Sequence, residues 1–230
     1  MRLLGSLKLG GTIKKLIKGV LEFKENVRPN VKETFKKLAL GQSPDALLVA
    51  CSDSRVAPNV FASTDPGDVF VVRNVGNLIP AFHDYESGHL ESEGAAIEFS
   101  VNQLNVKDII VCGHSECGAM QALFKKNPSE LSSYLRSWLK NAHPAKEKLD
   151  QGITLDPGLS PHNQLSQLNV LAQIEHIKSY PNVAQKIKNQ ELKIHGWWFD
   201  LAEANVYTYN EKENRFVIIN AKYLQSVSSK

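Results

Sequence analysis

Two short apolar runs, each ending directly in polar and metal-ligating residues, constrain this chain more than any other feature. Ala46–Ala50 (ALLVA) leads into Cys51–Arg55 (CSDSR). Asp108–Cys112 (DIIVC) leads through Gly113 into His114–Gly118 (HSECG), about sixty positions later. A brief apolar run bounded by polar residues suits a strand buried on both faces, as in a parallel sheet. Parallel strands deliver the residues after them to one edge of the sheet, where ligands bind. A fold built on these two runs therefore gathers two thiols, an imidazole, a carboxylate and a guanidinium at a sheet edge.

The remaining pattern extends the same architecture. Val69–Val72 (VFVV) reads as a further strand, preceded by the turn residues Asp65, Pro66 and Gly67. Gly94–Leu104 reads as a helix through Ile97, Val101 and Leu104, and Gln164–Lys178 as another through Leu168, Leu171 and Ile174. A helix is expected after HSECG, and strands at Leu192–Phe199, Val206–Tyr209 and Phe216–Ile219. Strands alternating with helices predict an α/β fold: a single domain with a mostly parallel central β-sheet flanked by helices. The 230 residues suffice for one sizeable core, and Gln151–Pro161 is loop-like without marking a domain linker.

The N-terminal segment differs in character. Residues 1–40 carry ten Lys and Arg against three Glu, whereas the rest carries 17 against 21 acids. Ile13, Leu16, Ile17, Val20 and Leu21 fall at helical spacing with Lys14, Lys15 and Lys18 off the stripe, which predicts an amphipathic helix. Pro29 is expected to break it, and Val31, Phe35 and Leu38 to start a second helix closed by Gly41. Residues 1–40 are thus an N-terminal helical arm. The segment is Lys-rich and has no uninterrupted apolar core, so a cytoplasmic location is expected, with an organelle presequence as the alternative. Three cysteines, two of them in the motifs, fit a reducing compartment better than a disulfide framework. A net charge of +3 is too small to argue for nucleic acid, and no run has the length of a membrane span, so neither partner is expected.

Cys, His and Asp are ligand types that tetrahedral zinc takes. Cys51, Asp53 and Arg55 alternate, so a strand continued through them would point all three the same way. His114 and Cys117 are three apart, and at the start of a helix they would share a face. The helix N-terminus would favour the Cys117 thiolate. Two bland readings compete: Cys51 and Cys117 as small buried hydrophobes, and a closed, purely structural zinc. Cys112, inside an apolar strand, reads as a hydrophobe. Arg55 bears on the choice, because it can hold Asp53 in a bidentate pair. Zinc would then keep three protein ligands and an open position for water. With Asp53 on the metal, the site would be closed.

These residues resemble the β-class carbonic anhydrases. The resemblance spans nearly all of residues 12–225 and includes, in order, CSDSR, VVRNVGN (Val71–Asn77), EGAAIEF (Glu93–Phe99), GHSECG (Gly113–Gly118) and HGWWFD (His195–Asp200). It implies one Zn2+ per chain on Cys51, His114 and Cys117, with Asp53 and Arg55 as a gating dyad. The implied reaction is reversible hydration of CO2 to bicarbonate and a proton, by attack of zinc-bound hydroxide. A homo-oligomer, dimer or tetramer, is also implied, with the N-terminal arm embracing the partner. In the plant-like subtype the substrate pocket takes a Gln, a Phe and a Tyr, which correspond here to Gln42, Phe70 and Phe99, the last a departure. Gly118 corresponds to the glycine that faces the substrate. An allosteric bacterial subtype uses a Trp and a Tyr where this chain has Leu48 and Phe199, so the plant-like, open-zinc subtype is expected.

Two other functions fit the same ligand set. One is hydrolysis of CS2 or COS; the other is non-catalytic binding of zinc or bicarbonate. Retention of both Asp53 and Arg55 argues against the latter. His83 and His89 read as loop residues able to carry protons. His195, Trp197 and Trp198 read as core, Arg73 as one end of a structural salt bridge near a subunit interface, and Gly76 as a turn residue. His143, His162 and His176 have no partner that the sequence can name.

Overall fold

The computed structural model describes residues 11–82, 92–125 and 127–228. The chain divides into two compact units, one through Gln42 and the other Ser43–Lys230.

The first unit is the expected helical arm. Helices α1 (Thr12–Glu22) and α2 (Arg28–Leu38) are joined by one π-helical turn, Phe23–Val27. Pro29 was expected to end the helix and does not. It has no N–H for the carbonyl four residues back, and its ring crowds that carbonyl. One wide turn immediately before it, closed by the Arg28 N–H on the Phe23 carbonyl, absorbs the mismatch. Ile13, Leu16, Ile17, Val20 and Leu21 are all exposed. No helix among the described residues is long and apolar enough to cross a membrane.

The second unit carries the α/β fold. Its sheet comprises β1 (Ala46–Cys51), β2 (Val69–Asn74), β3 (Asp108–His114), β4 (Lys193–Asp200), β5 (Asn205–Asn210) and β6 (Arg215–Ile218), in the spatial order β2-β1-β3-β4-β5-β6. The first four pair in parallel, and β5 and β6 extend the sheet antiparallel. Among the described residues, the α-helices of this unit are α3 (Pro58–Phe61), α4 (Ser92–Glu98), α5 (Gly118–Ala122), α6 (Ser133–Trp138), α7 (His143–Asp150), α8 (Pro161–Lys178), α9 (Pro181–Lys188) and α10 (Ala221–Ser228). The helix expected over Gly94–Leu104 is α4 continued by a second π turn, Phe99–Gln103.

All six residues of β1 are buried, which explains why its sequence shows no apolar–polar alternation. Leu47 and Val49 face one way, into a core with Ile109, Val111, Ile174 and Ile177. Leu48 and Ala50 face the other, with Val56, Cys112 and Phe199. Each large apolar side chain so buried contributes about 2 kcal/mol.

Helix α8 begins three residues before the expected start, because Pro161 presets the first helical turn. It lies across β3 and β4. Val170 and Ile174 face the sheet core, and Leu165, Leu168 and Ala172 face a second cluster with Met120 and Leu139. Gly113 makes the approach possible: a Cβ there would stand 2.7 Å from a Val170 methyl. One strip of the helix is polar and still buried. Its residues Asn163, Ser166, Asn169 and Gln173 fasten backbone at the sheet edge.

Candidate metal centre

The parallel register sets the site. Cys51 ends β1 beside Asn74, the last residue of β2, and His114 ends β3, so all three stop at the same edge. Cys117 comes one tight turn later, as the cap of α5. The Cys51 and Cys117 sulfurs and a His114 ring nitrogen lie within 4.8 Å of one another, and all three residues are buried.

His114 shows what this cluster suits. Its Nδ1 lies 2.8 Å from the Ser115 carbonyl, which can only accept, so Nδ1 carries the proton. Nε2 is then a bare lone pair, and it is buried with no hydrogen-bond partner. An orphaned imidazole nitrogen beside two sulfurs is the donor set of a zinc site, with a carbonyl behind the histidine fixing its tautomer. The residues present fit a zinc ion.

The two sulfurs are inequivalent. The Cys117 thiol donates to Cys51. Backbone N–H groups of Asp53 and Gly76 approach the Cys51 sulfur at 3.4 Å each. Against the cost of burial, these donors pull the Cys51 thiol down to about 4. Cys117 is pushed up by its bond to Cys51 and by burial, and the N–H groups of Ala119 and Met120 offset this only in part. The N–H groups of α5 thus act on Cys117 in the expected sense, and its pairing with Cys51 outweighs them. Cys112 is fully buried inside β3 and pushed up to about 12, as an inert hydrophobe should be.

Two local geometries differ from the sequence reading. The strand stops at Cys51, and Asp53 opens a turn: its Oδ1 accepts the Arg55 N–H at 3.0 Å, and its carbonyl accepts the Val56 N–H. Asp favours such turns by bonding its own backbone two residues on. Asp53 and Arg55 come together through this turn rather than through strand alternation. Likewise His114 and Cys117 do not share a helical face. Glu116, at φ 55° in the left-handed region, turns the chain between them.

Arg55 Nε donates to Asp53 Oδ1 at 2.9 Å and Nη2 to Oδ2 at 2.7 Å. The guanidinium holds the Asp53 carboxyl well below the usual carboxylate range. Gly118 is exposed, and a Cβ there would meet nothing within 4 Å, so the space beside it is open.

The other residues singled out from the sequence lie elsewhere. Phe70 pairs with Leu47, four residues before Cys51, or about 13 Å along the strand. Phe99, at the start of the second π turn, is 44% exposed and touches Phe70, with ring centroids 5.9 Å apart. Within one chain these two rings do not join the thiol cluster. Gln42 is exposed and is the last residue of the N-terminal unit. Leu48 and Phe199 are buried in one apolar cluster, where Phe199 stacks on Phe61 at 4.8 Å. His83 and His89 lie outside the described residues.

Arg73 was expected in a salt bridge, and its guanidinium instead meets backbone. It donates to the carbonyls of Cys51, Asp53 and Val56 at 2.8 to 3.1 Å, clamping the turn that presents the dyad. His195 is half-buried rather than core and pairs with Asp108 at 2.6 Å, while Trp198 is buried and donates to Ser166. His162 meets the Glu116 carboxylate, and His176 meets the Ile79 carbonyl.

The sequence reading missed Ser166, which donates to the His114 carbonyl at 2.7 Å. It also missed Asn169, which donates to the carbonyl of Gly76, the residue whose N–H faces Cys51. The signal was present as polar residues at 163, 166, 169 and 173, spaced by three and four along the helix.

Comparison with known proteins agrees with this site. The profile of the carbonic anhydrase family matches residues 46–206, which contain Cys51, Asp53, Arg55, His114 and Cys117. A carbonic anhydrase of Helicobacter pylori is 32% identical over 91% of this chain and 96% of its own. One from Pseudomonas aeruginosa is 34% identical over 88% of this chain and 90% of its own. The solved β-carbonic anhydrase CcaA superposes with a TM-score of 0.84 at 31% identity, covering 93% of this chain and 94% of that one. With the ligand geometry, the fold and these likenesses in agreement, the chain belongs to the β-class carbonic anhydrases, enzymes that use zinc.

Proposed function

We propose that the protein catalyses the reversible hydration of CO2 to bicarbonate and a proton, with zinc on Cys51, His114 and Cys117 and with Arg55 keeping Asp53 off the metal. The observation that carries this reading is the pairing of an orphaned His114 Nε2, beside two sulfurs, with a carboxylate already occupied by Arg55. Bound zinc supplies Lewis acidity; in the three-histidine carbonic anhydrases, an unrelated architecture, it brings the pKa of a water to about 7.

The chain's own residues do the rest. Ser115 fixes the His114 tautomer through its carbonyl, and Ser166 fixes the strand end. Arg73 holds the 51–56 turn, so that Asp53 faces Arg55. Arg55 satisfies both carboxylate oxygens, and a carboxylate so paired is a poor competitor for the fourth metal position. Gly118 leaves room for substrate beside the cluster.

Phe70 and Phe99 stand too far along the sheet to touch substrate at their own metal. We assign them, with Gln42, to substrate at the zinc of a second copy, which makes the working form a homo-oligomer. The solved relatives from Sordaria macrospora, 29% identical with a TM-score of 0.71, are described as tetrameric. The test is stopped-flow CO2 hydration at neutral pH on protein of known zinc content, with light scattering for the oligomer. Turnover by a zinc-loaded oligomer is expected. Full zinc without turnover refutes the enzymatic reading, and an active monomer refutes the shared pocket.

A further inference from the structure

We propose that Glu116 is a positioning residue for Arg55, held in place by a clasp of His162, Asn163 and Gln121. The inference rests on the reading above, in which Arg55 keeps Asp53 from the metal.

Arg55 Nη2 makes two contacts. It donates to Asp53 Oδ2 at 2.7 Å and to the Glu116 carbonyl at 3.0 Å, sixty-one residues away in sequence. The side chain of Arg55 is otherwise half exposed. A long exposed side chain loses rotamer freedom when it is fixed in one geometry, so a second acceptor across the turn matters. The Glu116 carbonyl is that acceptor, sharing Nη2 with Asp53.

Its direction depends on an unusual backbone. Glu116 is left-handed at φ 55°, a backbone that strains a residue with a Cβ. The conformation is held from both ends of the residue. The Glu116 N–H donates to Asn163 Oδ1 at 2.8 Å. The carboxylate accepts from Asn163 Nδ2 at 3.0 Å, from His162 Nε2 at 3.0 Å to each oxygen, and from Gln121 Nε2 at 3.1 Å. His162 and Asn163 open α8, and Gln121 lies in α5, so two helices grip one side chain. His114 and Cys117 flank this turn, and a glycine at its centre would adopt the left-handed backbone without strain but would not hold it there. The specific consequence of the clasp is where the Glu116 carbonyl points. Release it, and Arg55 loses an anchor, Asp53 is freed, and the carboxylate can take the fourth place on zinc.

That consequence gives the test a sign. Simple damage to the site loosens zinc, whereas a freed Asp53 adds a ligand and tightens it. Glu116→Gly tolerates the left-handed backbone and removes the clasp. In the zinc-loaded protein it is expected to lower kcat/KM about tenfold. Its zinc should also leave to a chelator more slowly than from the parent. His162→Leu, which leaves the turn itself unaltered, should move both readouts in the same directions, and His162→Gln, which keeps a donor, should restore them. If Glu116→Gly does not fold, the His162 pair decides. Parental kinetics in Glu116→Gly and His162→Leu, or faster zinc loss from them, overturns the proposal. Arg55→Ala measured alongside separates the two levels. Low activity and slow zinc loss there, with parental behaviour in the clasp variants, overturns the clasp alone. Full activity in Arg55→Ala overturns the dyad and the clasp with it.

Discussion

Arg55 meets Asp53 through two parallel side-chain hydrogen bonds, at 2.9 and 2.7 Å, while its own backbone N–H lies 3.0 Å from the same carboxylate. Three donors from one residue satisfy both carboxylate oxygens. Arg55→Ala removes two of them and leaves a carboxylate beside a metal site. Zinc content should stay near that of the parent while kcat falls about a hundredfold. Metal analysis beside stopped-flow kinetics checks this; full activity in the variant would show that Asp53 needs no partner.

The same pair has a pH signature. Arg55 lowers the Asp53 pKa below the ordinary 3.8. A group depressed on folding stabilises the protein above its unfolded value, and that contribution is lost as pH falls below it. Thermal unfolding of zinc-free parent and Arg55→Ala should therefore differ by a constant amount above about pH 5. The difference should shrink below pH 3.8. A difference that instead vanishes near neutrality would mean that another group carries it.

Arg73 clamps three carbonyls of the 51–56 turn through its planar fork. A lysine keeps the charge but cannot reproduce the geometry. Arg73→Ala should cost about 2 kcal/mol in denaturant unfolding. Arg73→Lys should recover little of that, and both should lose activity. Full recovery by Lys would reduce the role of Arg73 to charge alone.

Helix α8 sits where it does because Gly113 has no side chain. Gly113→Ala would place a methyl 2.7 Å from Val170 Cγ2, and Val is stiff about its one rotatable bond. The expected cost is about 2 kcal/mol, with lowered activity as Ser166 is pushed from the His114 carbonyl. Val170→Ala in the same chain should return part of both. Additive losses in the double mutant would show that the two groups do not meet.

Removing zinc should expose the inequality of the cysteines. The Cys117 thiol and the backbone N–H groups lower the Cys51 thiol, whereas burial pushes Cys112 up to about 12. Iodoacetamide at about pH 6, read by peptide mass spectrometry, should label Cys51 well before Cys112 once a chelator has taken the metal. Zinc should protect Cys51. Equal labelling would contradict the hydrogen-bonded thiol pair.

The parallel sheet and its site edge were legible in the sequence because both depend on local runs. ALLVA and DIIVC are buried on both faces, and each runs directly into a chemical motif. The helix of α8 was legible too, but its role was not. Asn163, Ser166 and Asn169 act on Glu116, His114 and Gly76, partners that only the packing of α8 against β3 brings near. Two local forms misled. Pro29 suggested a break where a π turn sufficed, and the alternation of Cys51, Asp53 and Arg55 suggested a strand where Asp53 builds a turn. Side-chain hydrogen bonds to backbone compete with regular structure, and spacing alone does not reveal which wins. Phe70 and Phe99 show a further limit: the resemblance names them as pocket residues, yet within one chain Phe70 pairs with Leu47, four residues before Cys51, and Phe99 packs on Phe70.

The most direct measurement is a crystal structure of the zinc-loaded protein grown at about pH 7.5, near the pKa expected of a zinc-acidified water. Zinc on Cys51 Sγ, His114 Nε2 and Cys117 Sγ is expected, with both Asp53 oxygens still on Arg55 and a non-protein ligand in the fourth position. Asp53 coordinated to zinc, with Arg55 turned away, would contradict the open site.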